Sequence, residues 1–297
     1  MPVRVDFFSL HLLVVTIREG SIARAAAREN IAPSALSRRI SDLERTLGVP
    51  LLARRARGVE PTEAGRAALA LAERIDDDLE SLVHQVKAEK NDVAGTVRLF
   101  ANTSSVIGFL PERLKVFIGH YPAVRIALRE CQSPDVLQAC LDGTADVGLC
   151  SGAVLRGSLD SWPFVRDPMM VVMPRGHVLA RARVVRFADV LGHPLIGVQS
   201  GGAVDRLLHD RALKAGRRMQ FTVSVGSVDA VCRMVEAGLG IAIIPTSAAS
   251  AYAGAKRFVR KKLSEPWADR ELRLYAPRKS PRSRAATALI DHLKGER

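Results

Sequence analysis

Residues 21–47, SIARAAARENIAPSALSRRISDLERTL, hold two helical patterns separated by a short break, and the second pattern has two unlike faces. Leu36, Ile40, Leu43 and Leu47 recur at steps of four, three and four, so they share one side of a helix and should pack inward. The opposite side then carries Ser34, Ser37, Arg38, Ser41 and Arg45. Short hydroxyl side chains let a helix lie close to phosphates and bases, and an arginine fork can pair with both acceptors of a guanine edge in the major groove. The first helix is built from small residues. Ser21 is placed to cap it, and Ala23, Ala25, Ala26 and Ala27 allow another helix to cross at close range. The break spans Glu29 to Pro33. Proline disfavours an α conformation in the residue before it and suits a first helical turn, so the second helix should start near Pro33. These features predict a helix-turn-helix suited to reading DNA.

A solvated surface helix would show a similar polar face, but the next segment narrows the choice. VPLLARRARGVEPTEAG reads as a short apolar run, a basic loop of Arg54, Arg55 and Arg57 closed by Gly58, and a return segment. That is the outline of a wing, placed to touch phosphates or an adjacent minor groove.

At these residues the chain resembles the LysR-type transcriptional regulators, and the resemblance extends from Phe7 to the C-terminus. Its most specific stretches are FFSLHLLVVTIREGSIARAAARENIAPSALSRRISDLERTLGVPLLAR, RGVEPTEAG and, further on, GTVRLFANTSSVIGFLP. The resemblance implies that the helix matching Pro33 to Arg45 enters the major groove. Pro33, Ser34, Ser37, Arg38 and Arg39 would then meet bases or phosphates, with Arg54, Arg55 and Arg57 on the wing. Pro33 and Arg39 stand where glutamine is frequent in the family, and Leu52 where phenylalanine usually precedes the wing. These departures leave the operator sequence open.

From Thr62 to about Lys90 the sequence reads as one long helix. Ala68, Ala72, Ile75, Leu79, Leu82 and Val86 form a heptad seam, which asks for a partner helix. Packing against its own domain is the alternative. Residues beside the seam, among them Arg74, Asp76, Asp77, Asp78, Glu80, Gln85 and Lys87, suit exposure to solvent. The resemblance adds that the matching helix makes an antiparallel dimer contact and links two domains. A two-fold dimer would present paired reading helices to an inverted-repeat operator in double-stranded DNA. Homodimers pairing into tetramers, a dimer of dimers, are the expected assembly, with RNA polymerase as a further partner.

Beyond Asp92 short β-rich runs alternate with helices, which predicts an α/β architecture containing an internal repeat. GTVRLFANTSS, VRIALRECQS and ADVGLC in the first half correspond to PLIGVQSGG, FTVSVGSVD and GLGIAIIP in the second. Polar clusters at the carboxyl ends of parallel strands gather where ligands bind, and helix N-termini there offer free N–H groups to an anion. Asn102, Thr103, Ser104, Ser105, Ser133 and Ser151 in one half, and Gln199, Ser200, Ser227 and Val228 in the other, are therefore the candidate effector-binding residues. Helix capping is the competing role for each serine. Ser104 and Ser227 are the leading candidates of their halves. No arginine occurs within these clusters, so capture of a carboxylate would rest on hydroxyls and backbone N–H groups. The resemblance implies a periplasmic-binding-protein-like fold of two lobes, with the chain crossing near Trp162 and returning near Trp267. The expected organisation is a winged helix-turn-helix over residues 1–62, a linker helix over 63–92 and an effector-binding domain over 93–297. Its first lobe would comprise about 93–162 and 268–297, its second about 163–267.

The 297 residues are enough for a small and a larger domain, and a net charge of +13 with a pI near 10.2 favours a polyanionic partner. The charge is unevenly placed. Residues 1–62 hold ten arginines against six carboxylates, whereas residues 251–297 hold thirteen lysines and arginines against five carboxylates. The DNA assignment therefore rests on the motif rather than on the pI. Cys131, Cys140, Cys150 and Cys232 form no CxxC pair, and the seven histidines show no metal-ligand spacing, so no metal and no cofactor are expected. Reduced, buried thiols are the expectation. A redox role for Cys131, Cys140 or Cys150 is the alternative, since some relatives sense oxidants through a cysteine pair. The start lacks a long apolar run and no eighteen apolar residues are consecutive, which predicts a cytoplasmic protein without membrane contact. A transport binding protein would share the two lobes but not the helix-turn-helix. No nucleophile elbow, P-loop or GxGxxG follows a strand, so catalysis is not expected.

Overall fold

Asp6 starts the first helix by accepting hydrogen bonds from the Ser9 amide at 2.9 Å and the Ser9 hydroxyl at 2.7 Å. The computed structural model describes residues 5–55, 58–87, 93–152, 157–198, 203–251, 258–278 and 282–295. It falls into two units, Met1–Thr96 and Val97–Arg297.

In the first unit α1 (Phe7–Glu19) ends at Gly20 in the left-handed region, and α2 (Ile22–Arg28) is capped by Ser21, whose hydroxyl accepts from the Arg24 amide. The helix α3 (Pro33–Leu47) begins at Pro33 itself. Leu36, Ile40 and Leu43 are buried against Leu12, Leu13, Ala25 and Ala26, where the alanines permit the close helix crossing. Leu47, read as inward, is exposed instead. It is the last helical residue, and the turn at Gly48 carries it off the core.

Antiparallel strands β1 (Leu52–Arg55) and β2 (Gly58–Pro61) follow. Glu44 ties them to α3, its Oε1 accepting from the Leu51 and Leu52 amides at 2.7 and 3.0 Å. On the return strand the Val59 amide donates to Gly20 O at 3.0 Å. That approach needs Gly58, at φ +134°, because a Cβ there would sit 2.2 Å from the Gly20 carbonyl oxygen.

The long helix α4 (Glu63–Lys87) is capped by Thr62. Its first turns settle the choice for part of the heptad seam. Ala72 is fully buried and Ala68 packs on the core of α1–α3, so these alanines face their own unit rather than a partner helix. Small side chains let α4 lie directly along α1, and at Gly65 a Cβ would stand 1.9 Å from Leu51 O. Among the described residues, the large apolar side chains exposed on α4 are Leu71 and Leu82. Asp76, assigned to solvent, instead faces His11: Nδ1 of that ring lies 2.9 Å from Asp76 Oδ2, and Nε2 lies 3.1 Å from Glu29 Oε2. The side chains of Arg74, Asp77, Asp78, Glu80, Gln85, Val86 and Lys87 lie outside the described residues.

The second unit contains two lobes whose parallel strands follow one plan. In the first lobe β3 (Gly95–Ala101) and β5 (Val147–Ser151) pair in parallel, with β4 (Val124–Glu130) on the other side of β3. In the second lobe β9 (Leu195–Val198) and β10 (Phe221–Val225) pair in parallel, and a parallel bridge from Leu195 to Ile241 brings in β11 (Ala242–Pro245). The order β4-β3-β5 is thus matched by β10-β9-β11, as the internal repeat predicts.

Each lobe is completed by antiparallel strands. The first adds β13 (Glu271–Pro277) and β6 (Leu159–Arg166); the second adds β7 (Met169–Pro174) and β12 (Phe258–Leu263), with β8 (Val184–Val185) pairing in parallel at the outer edge of β12. Helices α5 (Thr103–Gly108), α6 (Leu110–His120), α7 (Ser133–Leu141) and α12 (Arg284–Gly295) belong to the first lobe. Helices α8 (Phe187–Val190), α9 (Ala203–Lys214), α10 (Val228–Glu236) and α11 (Thr246–Ala251) belong to the second. Strands β5 and β11 are buried along almost their whole length, as expected for strands covered on both faces.

The crossing between lobes lies later than Trp162. Strand β6 stays paired with β13 through Arg166, so the chain leaves the first lobe at Asp167 and Pro168 and returns at Arg270. The two passes are joined by the Asp167 amide donating to Arg270 O at 2.9 Å.

Burial disfavours a charged His11 ring, but the Asp76 and Glu29 carboxylates outweigh it and hold the imidazolium above its ordinary pKa. A raised histidine stabilises the folded state below about pH 6.5, and that contribution fades as pH rises through the raised value. His11→Gln should therefore lower the melting temperature of the full chain more at pH 6 than at pH 9. Equal losses at both pH values would exclude this clamp.

Candidate functional site

The outward face of α3 carries Pro33, Ser34, Arg38, Ser41 and Arg45 in exposed positions, with Ser37 half-buried beside them. Ser34, Arg38, Ser41 and Arg45 follow one another at steps of four, three and four, giving a polar stripe opposite Leu36, Ile40 and Leu43. The arginines differ in their surroundings. Arg39 reaches back to the start of α1, with Nη1 3.4 Å from Asp6 Oδ1 and its guanidinium 5.0 Å from the Phe8 ring centre. Arg45 pairs with Asp42 at 3.0 Å. Arg38 has no carboxylate partner among the described residues. In the wing Arg55 pairs with Glu60 at 3.1 Å, both exposed. Arg57 and the side chain of Arg54 lie outside the described residues.

In the second unit the carboxyl ends of the parallel strands of both lobes border a cleft of about 450 Å³. Asn102, Thr103, Ser104, Ser133, Ser151, Ser227 and Val228 all line it. Ser105 does not. It is fully buried, donates to Asn102 Oδ1 at 2.7 Å, and serves the start of α5 rather than the cavity. Gln199 and Ser200 lie outside the described residues.

The wall of the first lobe is a connected polar network. Asn102 caps α5 through Oδ1, while its Nδ2 donates to Ser133 Oγ at 3.2 Å, and Ser133 Oγ stands 3.5 Å from Ser151 Oγ. The Thr103 hydroxyl donates to Glu130 Oε1 at 2.6 Å. Across the cleft Ser227 caps α10, accepting from the Ala230 amide at 3.2 Å. Capping and cleft lining thus coincide at Asn102 and Ser227. The remaining wall is largely apolar, with Ile107, Leu208, Met219, Phe221 and Ile244 prominent.

Arg270 also lines the cleft, although the strand-end clusters of the sequence contain no arginine. It comes from the returning pass between lobes. Its Nη2 donates to Ser104 Oγ at 2.7 Å and to Asp167 Oδ2 at 2.5 Å, and its Nε donates to Asp167 O at 2.8 Å. Asp167 is fully buried and also accepts from the Ser247 amide and hydroxyl, at 2.9 and 3.0 Å, at the start of α11. One guanidinium therefore connects a leading effector candidate in the first lobe to a helix start in the second. The partners are 166 and 103 residues away in sequence, so no local spacing announces them.

The thiols show no sign of activation. Burial pushes Cys140 up to about 12 and Cys232 up to about 11, and it raises Cys150 as well. Cys131 is raised as well, by burial first and Asp135 second. Such thiols carry little thiolate at neutral pH, which suits structural packing better than oxidant sensing. Among the described residues no group of histidine, cysteine and carboxylate side chains could hold a metal ion, and no helix is long and apolar enough to cross a membrane.

A winged helix-turn-helix followed by a two-lobed α/β domain with a cleft at its strand ends defines the class of DNA-binding transcriptional regulators that carry a substrate-binding domain. The chain belongs to the LysR family. Residues 7–66 match the bacterial regulatory helix-turn-helix of the lysR family, and residues 90–297 match the LysR substrate binding domain. It is 30% identical over 294 residues to the uncharacterised HTH-type transcriptional regulator YnfL of Escherichia coli (strain K12), covering 97% of this chain and 98% of that protein. Its fold is similar to that of full-length CbnR complexed with target DNA, with a TM-score of 0.75 at 19% identity, covering 98% of this chain and 99% of the other. A full-length, singly substituted OxyR from Pseudomonas aeruginosa is similar at a TM-score of 0.74 and 20% identity, covering 98% and 95%. The chain is accordingly a transcriptional regulator and not an enzyme.

Removing Arg270 leaves the Asp167 carboxylate buried without its cation. Arg270→Leu should cost about 3–5 kcal/mol of folding stability, and adding Asp167→Leu should recover much of it. Denaturant unfolding of both variants checks this, and a single-variant loss below about 1 kcal/mol would show that the pair is not structural.

Proposed function

We propose that the protein binds an inverted-repeat operator as a homodimer, assembling further into a dimer of dimers, and that a small molecule in the cleft sets its regulatory state. The observation that carries the DNA half is Arg38, exposed in a stripe with Ser34 and Ser41 and without a carboxylate partner among the described residues. An unpaired guanidinium on such a face can make a bidentate contact to a guanine edge. Pro33, Ser34, Ser37 and Arg39 would flank it, and Arg54, Arg55 and Arg57 of the wing would meet backbone phosphates. Leu71 and Leu82, 53% and 55% exposed on α4, support dimerisation through that helix. Two-fold symmetry then pairs the reading helices with inverted half-sites.

The cleft half rests on a cavity bordered by both lobes and crossed at its hinge by Arg270. A ligand touching both walls favours the closed arrangement by its differential affinity for it. Closure would alter packing between neighbouring effector domains, change the spacing of the DNA-reading heads, and so alter operator bending and recruitment of RNA polymerase in the cytoplasm.

Selection of fragments bound by the purified protein at fixed moderate salt tests the reading, since phosphate contacts make affinity strongly salt-dependent. Enrichment of short inverted repeats is expected; sequence-independent binding alone would refute it. Arg38→Ala should abolish preference for the enriched site while leaving oligomeric state unchanged. Ser104→Ala should blunt the effector response and spare operator affinity; a wild-type response would remove Ser104 from the ligand site.

A further inference from the structure

Charge along the cleft points to the chemistry of its occupant. Three carboxylates line it, Glu130 from the first lobe and Asp205 and Asp229 from the second. The sole cationic side chain among the described lining residues is Arg270, whose charge is matched by the buried Asp167. Helix N-termini would ordinarily attract an anion here, but those of α7, α9 and α10 each hold an acid in the first turn, Asp135, Asp205 and Asp229. A carboxylate ligand would meet like charge in both lobes and no uncommitted cation among the described residues.

We infer that the cleft takes a ligand without negative charge, best matched by a primary amine on an apolar, ring-sized body. This rests on reading the cleft as the effector site. Glu130, oriented by Thr103, and Asp229 supply charge of the right sign from opposite lobes. Phe221 adds an aromatic ring, a surface that attracts cations, while the apolar wall accepts the ligand body. Closure around an ammonium would lower the repulsion between facing carboxylates; closure around a carboxylate would raise it.

The test uses full-length protein and two matched sets of probes: benzylamine, benzyl alcohol and benzoate, then phenethylamine, 2-phenylethanol and phenylacetate. Binding is read by ligand-observed NMR and calorimetry at moderate salt. Gly226→Trp serves as the blocking variant, because a side chain at Gly226 enters open space on the cleft wall. The expected order is amine, then alcohol, then carboxylate, with all binding lost in Gly226→Trp. Glu130→Gln and Asp229→Asn should each weaken the amines roughly three- to fivefold, the range for partly exposed ion pairs, and leave the alcohols unchanged. Carboxylates binding as tightly as amines, and losing binding in Gly226→Trp, would overturn the charge assignment while leaving the cleft reading intact. Absence of binding by every probe, or binding indifferent to Gly226→Trp, would overturn both.

Discussion

Where the chain passes twice between the lobes of the second unit, Arg270 and Asp167 meet at 2.5 Å with Asp167 fully buried. A carboxylate in such a place is tolerated only when its oxygens are fully engaged, and here they accept from a guanidinium, an amide and a hydroxyl. The same guanidinium reaches Ser104 on the first lobe. Both lobe sheets are thus referenced to one buried charge pair. Helices α5 and α11 also touch beside it, closely enough that a Cβ at Gly108 would stand 2.4 Å from Ser247 Cβ. The hinge therefore offers little room for sliding, and relative motion of the lobes is best accommodated by rotation in the two connecting segments.

The first unit is organised differently, by small side chains and shared backbone groups. Ala25 and Ala26 let α2 and α3 cross, Ala68 and Ala72 let α4 lie on α1, and Glu44 commits its carboxylate to two amides at the start of the wing. The outcome is a reading helix whose apolar side is fixed by neighbours on every flank. Its outward arginines are then graded by local partners. Arg39 is drawn toward Asp6 and Phe8, Arg45 toward Asp42, and Arg38 has no carboxylate partner among the described residues.

Much of this was legible because local chemistry dictates it. Ser21 and Pro33 mark helix starts through capping and a fixed φ, which need no tertiary knowledge. The internal repeat was readable because each polar cluster sits where a buried strand must give way to a helix. The lobe crossing was misplaced since β6 continues as an edge strand through Arg166, and nothing in its composition distinguishes a strand from a connector there. Part of the heptad seam misled because alanine serves any close helix approach, within a unit or between chains. Arg270 escaped notice for a deeper reason. Its role depends on contacts 103 and 166 residues away, and such contacts are set by topology rather than by spacing.

Net charge is a poor guide to either site. The chain carries +13 overall, yet the lining of its cleft contributes three carboxylates and one neutralised guanidinium. The polar side chains of that lining are also largely satisfied within the protein: Asn102 bonds to Ser105 and Ser133, Thr103 to Glu130, and Ser227 to its own helix. A ligand therefore gains little by supplying missing hydrogen bonds. Affinity for the proposed ligand would come from apolar contact with the wall and selectivity from the sign of its charge, because these are what the network leaves open. On the reading helix the balance is reversed. There the apolar side chains are taken up by the core, and an exposed arginine and hydroxyls remain for recognition. The proposed ligand cleft and the proposed DNA face of α3 thus carry opposite local charge, and in each place the offer is defined by what the fold has already used.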